Sequence, residues 1–179
     1  MPSISFDVDG VLKKGNIAIS RAKEAIIKLK DKGIPVSLIT NDGGELESIR
    51  ANKISNILKL EGQYKFIEKE MFMCHSPMKK LIQNYKNKLI LISGVNTIAA
   101  VIENYGFKHY MTINEYATIY DEIAPIIRYT QTNEQRQIII KNVEKRLNIS
   151  VDNNPPQVHG IFILSEILNW EINTQVYYL

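Results

Sequence analysis

The stretch SISFDVDGVL, residues 3–12, decides how the rest of the chain is read. Four mostly apolar residues run into two aspartates, Asp7 and Asp9, separated by Val8 and followed by Gly10. An apolar run that stops at a carboxylate pair and a glycine reads as a β-strand delivering two acidic groups into a tight turn. In open α/β sheets, ligands bind beyond such strand ends. Two carboxylates this close repel each other when both are ionised. A divalent cation shared with a phosphate relieves that repulsion, and oxygen ligands of this kind suit Mg²⁺. Without a second signal, Asp-x-Asp-Gly reads equally well as a plain turn after a strand.

Outward from this strand, apolar runs alternate with amphipathic segments. Residues 21–33 carry Ala22, Ala25, Ile26 and Leu29 at helical spacing, with Gly33 placed to stop the helix. A second strand is predicted over 34–40. A second helix is predicted over 44–62, with Leu46, Ile49, Ile57 and Leu58 inward. A third strand follows over 69–76, then a helix with Pro77 in its first turn. Residues 88–93 read as a fourth strand and 96–106 as a fourth helix ended by Gly106. Strand–helix alternation means βαβ units and a parallel sheet, so the fold class is α/β with right-handed crossovers. Past Gly106 the pattern loosens. Residues 108–113 and 158–165 read as strands and 152–157 as a loop. A helix over 132–148 is opened by a capping box of Thr132 and Gln135. The segment from Asn169 reads as the first turns of a last helix.

Composition narrows the function classes. The chain has 179 residues, 45% hydrophobic and 23% charged, with a formal net charge of +3, which is ordinary globular composition. The basic residues are spread rather than clustered, and no RNA-binding aromatic signature is present, so no nucleic-acid partner is expected. No apolar run is long enough for a membrane span. No signal or transit segment is visible before the first strand, and an intracellular setting is expected. The single cysteine, Cys74, forbids an intrachain disulfide.

The second strand ends in LITNDGG, residues 38–44, where Thr40 offers a hydroxyl, Asn41 an amide, and Gly43 and Gly44 a tight turn. Backbone N–H groups leading into the following helix would favour an anion there. FDVDGVL followed by LITNDGG resembles motifs one and two of the haloacid dehalogenase (HAD) superfamily, subfamily IIA. RANKISNILKLEGQ, FMCHSPMKKL and YGFKHYMT are similar to the cat-eye-syndrome critical region protein 5 group within it. GIFILSEILNWEINTQ resembles a cap strand and its sequel, with Ile167-Leu168 where that group has Asp-Pro. The resemblance implies a HAD-like Rossmannoid parallel sheet, partial here, over 1–86, and an inserted α/β cap domain, also partial, over 87–179. No linker composition marks that boundary.

The same resemblance implies a Mg²⁺-dependent phosphohydrolase of a small phosphorylated metabolite. Asp7 would attack phosphorus and form an aspartyl-phosphate. Asp9 would protonate the leaving oxygen and then activate water. Mg²⁺ would be held by the Asp7 carboxylate and the Asp9 backbone carbonyl. Thr40 would bond the transferring phosphoryl group, supported by Asn41 and the Gly43–Gly44 turn. A homodimer through the cap and a mitochondrial location are implied by resemblance alone.

The superfamily's third and fourth motifs, a lysine and a Gly-Asp followed by a further Asp, are not found. Asp121-Glu122 has no apolar strand immediately before it, and Lys79 and Lys80 match a different position in the family pattern. The expectation drawn is a truncated chain, weakly active or inactive by itself, with its first strand an edge. The alternative is a non-catalytic fragment or pseudoenzyme that binds phosphate or a partner. A receiver-like phosphoacceptor is a third reading, disfavoured by the TNDGG turn and the long segment after Gly106. Cys74 and His75, adjacent at a strand end, are read as packing groups, as are Trp170 and Tyr177-Tyr178. His109 and His159 have no metal-ligand spacing. Lys141, Glu144, Lys145 and Arg146 are read as a solvated helix face.

Overall fold

The computed structural model describes residues 2–95, 97–129, 131–151 and 154–178. They fall into two compact units, Met1–Ser76 and Pro77–Leu179. Both are α/β with parallel sheets, as the alternation predicts.

In the first unit, β1 (Ile4–Asp7) leads into a short hairpin of β2 (Lys13–Lys14) and β3 (Ile17–Ala18). Helix α1 (Ala22–Asp31) follows, then β4 (Val36–Ile39), α2 (Glu47–Ile57) and β5 (Met71–Phe72). The sheet order is β1-β4-β5, all parallel, with Ile4 opposite Val36 and Asp7 opposite Ile39. Among the described residues β1 pairs on one side only. Alternation gives the sheet two unlike faces. The row Phe6, Leu38 and Met71 faces a core built with Val8, Leu12, Ile26, Ile54 and Phe66. The row Asp7, Ile39 and Phe72 is exposed.

Helix α2 buries only part of the face its apolar spacing predicts. Leu58, just past its end, is buried as predicted, but Ile49 is exposed and Leu46 and Ile57 only half-buried, while Glu47, Ala51, Ile54 and Ser55 are buried. Hydrogen bonds hold Ser55 and Glu47 inward. The Ser55 hydroxyl donates to the Ala51 carbonyl at 2.8 Å and accepts the Phe66 N–H at 2.9 Å. Ser76 donates its hydroxyl proton to the Glu47 carboxylate at 2.7 Å. Buried polar groups with partners are tolerated at positions an apolar count would assign to water.

A 3₁₀ turn over Ser76–Leu81, where the sequence predicts an α-helical start, begins at the last residue of the first unit and leads into α3 (Ile82–Tyr85) of the second. Then come β6 (Ile90–Ser93), α4 (Ile98–Asn104), β7 (Tyr110–Thr112), α5 (Ile113–Ile119), α6 (Asn133–Leu147), β8 (Ile161–Ile163) and α7 (Trp170–Tyr177). Its sheet order is β7-β6-β8, all parallel. Leu91 packs with α5, α6 and α7 on one face. On the other, Phe162 meets Tyr85 and Phe107 edge to face, each at 5.4 Å between centroids. The Thr132–Gln135 capping box opens α6 as predicted. A second box, Thr112–Glu115, opens α5, a helix the sequence pattern does not announce. Of the loop expected over 152–157, Asp152 and Asn153 lie outside the described residues.

Candidate active site

Parallel pairing of β1 with β4 puts the ends of the first two strands side by side. Asp7 is the last residue of β1 and is exposed. Val8 is fully buried and anchors the turn, and Asp9 returns to the surface with half its side chain exposed. Gly10 adopts φ +83°, the left-handed conformation this turn needs. Thr40 follows the Asp7–Ile39 register pair directly and is buried. Its N–H donates to the Phe72 carbonyl at 3.0 Å, and its Oγ1 accepts the Asp42 N–H at 3.2 Å. The Thr40 O–H proton is thereby left as a donor. Asn41 is exposed, and Gly43 and Gly44 are buried. The backbone amides expected to cradle an anion are partly engaged: Asp42 Oδ1 also accepts the Gly43 N–H, at 2.8 Å. An aspartate in the turn takes up the donor it would otherwise present.

Two cations that the motifs do not signal complete the site. Lys13, buried in the hairpin, forms an ion pair with Asp9 Oδ1. Arg50, in the first turn of α2, pairs with Asp42 Oδ2, stands 3.6 Å from Asp9 Oδ2 and 3.4 Å from Glu45 Oε1. Its Nε is buried and unpartnered. The spacing of Lys13 after Asp9 was the one available signal, since four residues across a tight hairpin can return a side chain to the turn.

The other weighed residues take structural places. Lys79 lies over the Tyr105 ring at 4.8 Å, and Asp121 bonds Arg136 at 2.7 Å. His75 is buried with Nε2 3.1 Å from the Glu45 carbonyl oxygen, whereas Cys74 is exposed. The two sit in the turn after β5 rather than on the strand. The Cys74 thiol is pushed above its ordinary value by desolvation and the Asp42 carboxylate. Arg146 departs from the solvated-face reading. It grips both oxygens of Glu115 at 3.0 and 2.7 Å, bonds the Tyr110 carbonyl and stacks over the Tyr110 ring. Trp170 and Tyr178 are exposed rather than packed.

For a metal, the strand end offers hard oxygen donors, the Asp7 carboxylate and the Asp9 carbonyl. Among the described residues no group of three or more acidic, histidine or cysteine side chains is placed to hold a metal ion by itself. This donor set fits Mg²⁺, which keeps several waters and takes one or two carboxylates plus substrate oxygens.

Comparison with known proteins agrees with the fold. Residues 4–108 match the family model for haloacid dehalogenase-like hydrolases. The mitochondrial hydrolase YKR070W of Saccharomyces cerevisiae is 29% identical over 173 residues, 94% of this chain and 47% of that protein. A cardiolipin synthase (CMP-forming)/mitochondrial hydrolase fusion protein of Schizosaccharomyces pombe is 33% identical over 132 residues, 73% of this chain and 21% of that protein. The chain thus spans less than half the length of either relative. Among solved structures, a possible sugar phosphatase of Cytophaga hutchinsonii shares the fold with a TM-score of 0.57 at 15% identity, covering 98% of this chain and 50% of that one. NagD of Escherichia coli does so at 0.52 and 14%, covering 99% and 74%. With its two strand-end motifs side by side and the family model matched over residues 4–108, this chain belongs to the haloacid dehalogenase-like hydrolases.

Proposed function

We propose that the first unit carries the nucleophile, the acid/base and the phosphoryl-binding hydroxyl of a Mg²⁺-dependent phosphohydrolase acting on a small phosphorylated metabolite. The single observation that carries this reading is the β1–β4 register, which sets Thr40 one residue beyond the partner of Asp7. Asp7 Oδ attacks phosphorus as the bond to the leaving oxygen breaks, and Asp9 gives that oxygen a proton. Asp9, now a carboxylate, takes a proton from water. The water oxygen attacks phosphorus, and the Asp7–phosphorus bond breaks to release phosphate. Thr40 donates its hydroxyl proton to a phosphoryl oxygen. The Asp7 carboxylate and Asp9 carbonyl would hold Mg²⁺, which when bound neutralises phosphoryl charge.

Turnover by the 179-residue chain is expected to be slow, because the neutralising lysine and further metal carboxylate that the resemblance implies are not found in it. A phosphate-binding, non-catalytic role is the second reading, favoured by the Lys13 and Arg50 pairs that already occupy the Asp9 carboxylate. The mitochondrial names of the curated relatives support a mitochondrial setting. A homodimer through the second unit belongs to the same proposal, with the exposed Trp170 as its candidate contact.

The test is acid-quenched intact mass after incubation with acetyl phosphate and Mg²⁺. A gain of one phosphoryl group, absent in Asp7→Asn, is the expected result. A gain that survives Asp7→Asn overturns the assignment of the nucleophile, and no gain in either chain selects the non-catalytic reading.

A further inference from the structure

We infer that the second unit holds a small-molecule site of its own, a cavity at the carboxyl ends of β6, β7 and β8 that takes an uncharged, nucleoside-like molecule. The inference goes beyond the phosphohydrolase reading and does not rest on it.

Topology makes the cavity. Strand β6 is central, and the chain leaves it through α4 on one face. The segments after β7 and β8 continue into α5 and α7, which pack together on the other face. Adjacent strands whose connections depart to opposite faces leave a crevice at their carboxyl ends, and this is where α/β sheets bind ligands. The crevice here measures about 350 Å³, within the range of small-molecule sites.

Its floor is built and held. The Ser93 hydroxyl donates to Asn173 Oδ1 at 2.5 Å, the same oxygen accepts the Tyr177 hydroxyl at 3.0 Å, and Asn173 Nδ2 donates to the Asn169 carbonyl at 2.8 Å. Ser93 and Asn173 are both about 95% buried. The loop after β6 is pinned to the segment after β8, because Ser165 Oγ accepts the Val95 N–H at 2.7 Å. Gly94 approaches so closely that an added Cβ would fall 2.5 Å from Ser165 Oγ.

The lining chooses the ligand. Ser93 has spent its proton on Asn173 and keeps acceptor capacity, while Thr112 Oγ1 accepts the Glu115 N–H and keeps its proton to donate. Asn114 adds an exposed amide. Ile92, Ile98, Ile113 and Ile167 supply apolar wall. None of the described lining residues is ionisable, so a charged group brought here would go uncompensated. An apolar flat body with hydroxyl and amide edges satisfies all of these terms, and a nucleoside is that combination.

The test is ligand-observed saturation-transfer NMR and calorimetry on the 179-residue chain with adenosine, uridine and AMP. At least one nucleoside is expected to bind with a Kd below about 1 mM, and the nucleotide about tenfold more weakly or worse. Ala99→Phe, which fills the cavity from α4, and Asn114→Ala, which removes an exposed amide, should each weaken nucleoside binding about tenfold. If Ala99→Phe fails to fold, Asn114→Ala decides. Asp7→Asn should leave binding unchanged, which separates this site from the phosphoryl site. Absence of nucleoside binding, AMP binding as tight as adenosine, or affinity unmoved by Asn114→Ala each overturns the inference.

Discussion

Arg50 stands 3.6 Å from the Asp9 carboxylate while bonding that of Asp42, so one side chain of α2 ties the turn after β1 to the turn after β4. Three carboxylates, Asp9, Asp42 and Glu45, gather around two cations, Lys13 and Arg50. Removing the shared guanidinium takes a cation from both Asp42 and Glu45, and Glu45 keeps another, Lys53. Because Asp42 is partly exposed, solvent screens part of the cost. Arg50→Gln is expected to destabilise the first unit by about 1–2 kcal/mol in urea unfolding. Asp42→Asn in the same chain should recover part of that loss. Strict additivity of the two substitutions would show that the tie carries no coupling energy.

Ser55 makes a sharper claim about the core. Its hydroxyl bridges the Ala51 carbonyl and the Phe66 N–H, and it is fully buried. Ser55→Ala keeps the helix but strands the Phe66 donor, at about 1–3 kcal/mol. Ile49→Ala, at the position the apolar spacing would bury, should cost under about 0.5 kcal/mol because Ile49 is exposed. Chemical denaturation of both variants decides which face of α2 is inward.

These two residues mark what was legible. Alternation of apolar runs foretold the parallel sheets, because a strand buried on a face must spell that burial in its own residues. The strand-end position of Asp7 and the capping box of α6 were legible for the same reason: the signal is local. The polar part of the inward face of α2 was not, since Ser55 and Glu47 are buried by partners eleven and twenty-nine residues away. The pairings of Arg50 with Asp9 and of Arg146 with Glu115 are likewise products of the folded topology. The cavity of the second unit depends on strand order, which no single segment encodes.

Thr40→Val tests the phosphoryl-binding assignment with little change of shape. The variant loses the donor proposed for a phosphoryl oxygen and the acceptor of the Asp42 N–H. Loss of the turn bond should cost about 1 kcal/mol. Phosphoryl transfer to Asp7, read as the rate of mass gain, should fall about 100-fold. A rate unchanged from wild type would remove Thr40 from the chemistry and leave it a turn residue.

Gly10→Ala isolates backbone strain from crowding. An added Cβ meets nothing within 4 Å, yet φ is +83°. The expected cost is about 1–2 kcal/mol, all of it conformational. Gly10→Asn, which tolerates the left-handed region better, should cost less. Equal losses for the two would mean that the turn has shifted instead of bearing the strain, and Asp9 would move with it.

Tyr110 should govern the alkaline limit of the second unit. It is buried, its hydroxyl donates to Glu103 at 2.5 Å, and desolvation followed by that bond pushes its pKa far above the ordinary 10.0. Tyr116 is raised too, by burial. In the unfolded chain both phenols lose protons near their ordinary value, whereas the folded chain keeps them. At pH above about 10 the unfolded state therefore binds fewer protons than the folded state, and stability falls as pH rises. Below that pH the contribution is fully present and flat. Tyr110→Phe removes one titrating group, so it should lose about 1 kcal/mol at neutral pH through the missing hydrogen bond. It should also show a shallower decline between about pH 10 and 12 than the wild type. Unfolding followed by circular dichroism across that range measures both. An identical alkaline slope in Tyr110→Phe would show that this phenol titrates no differently in the folded and unfolded chain.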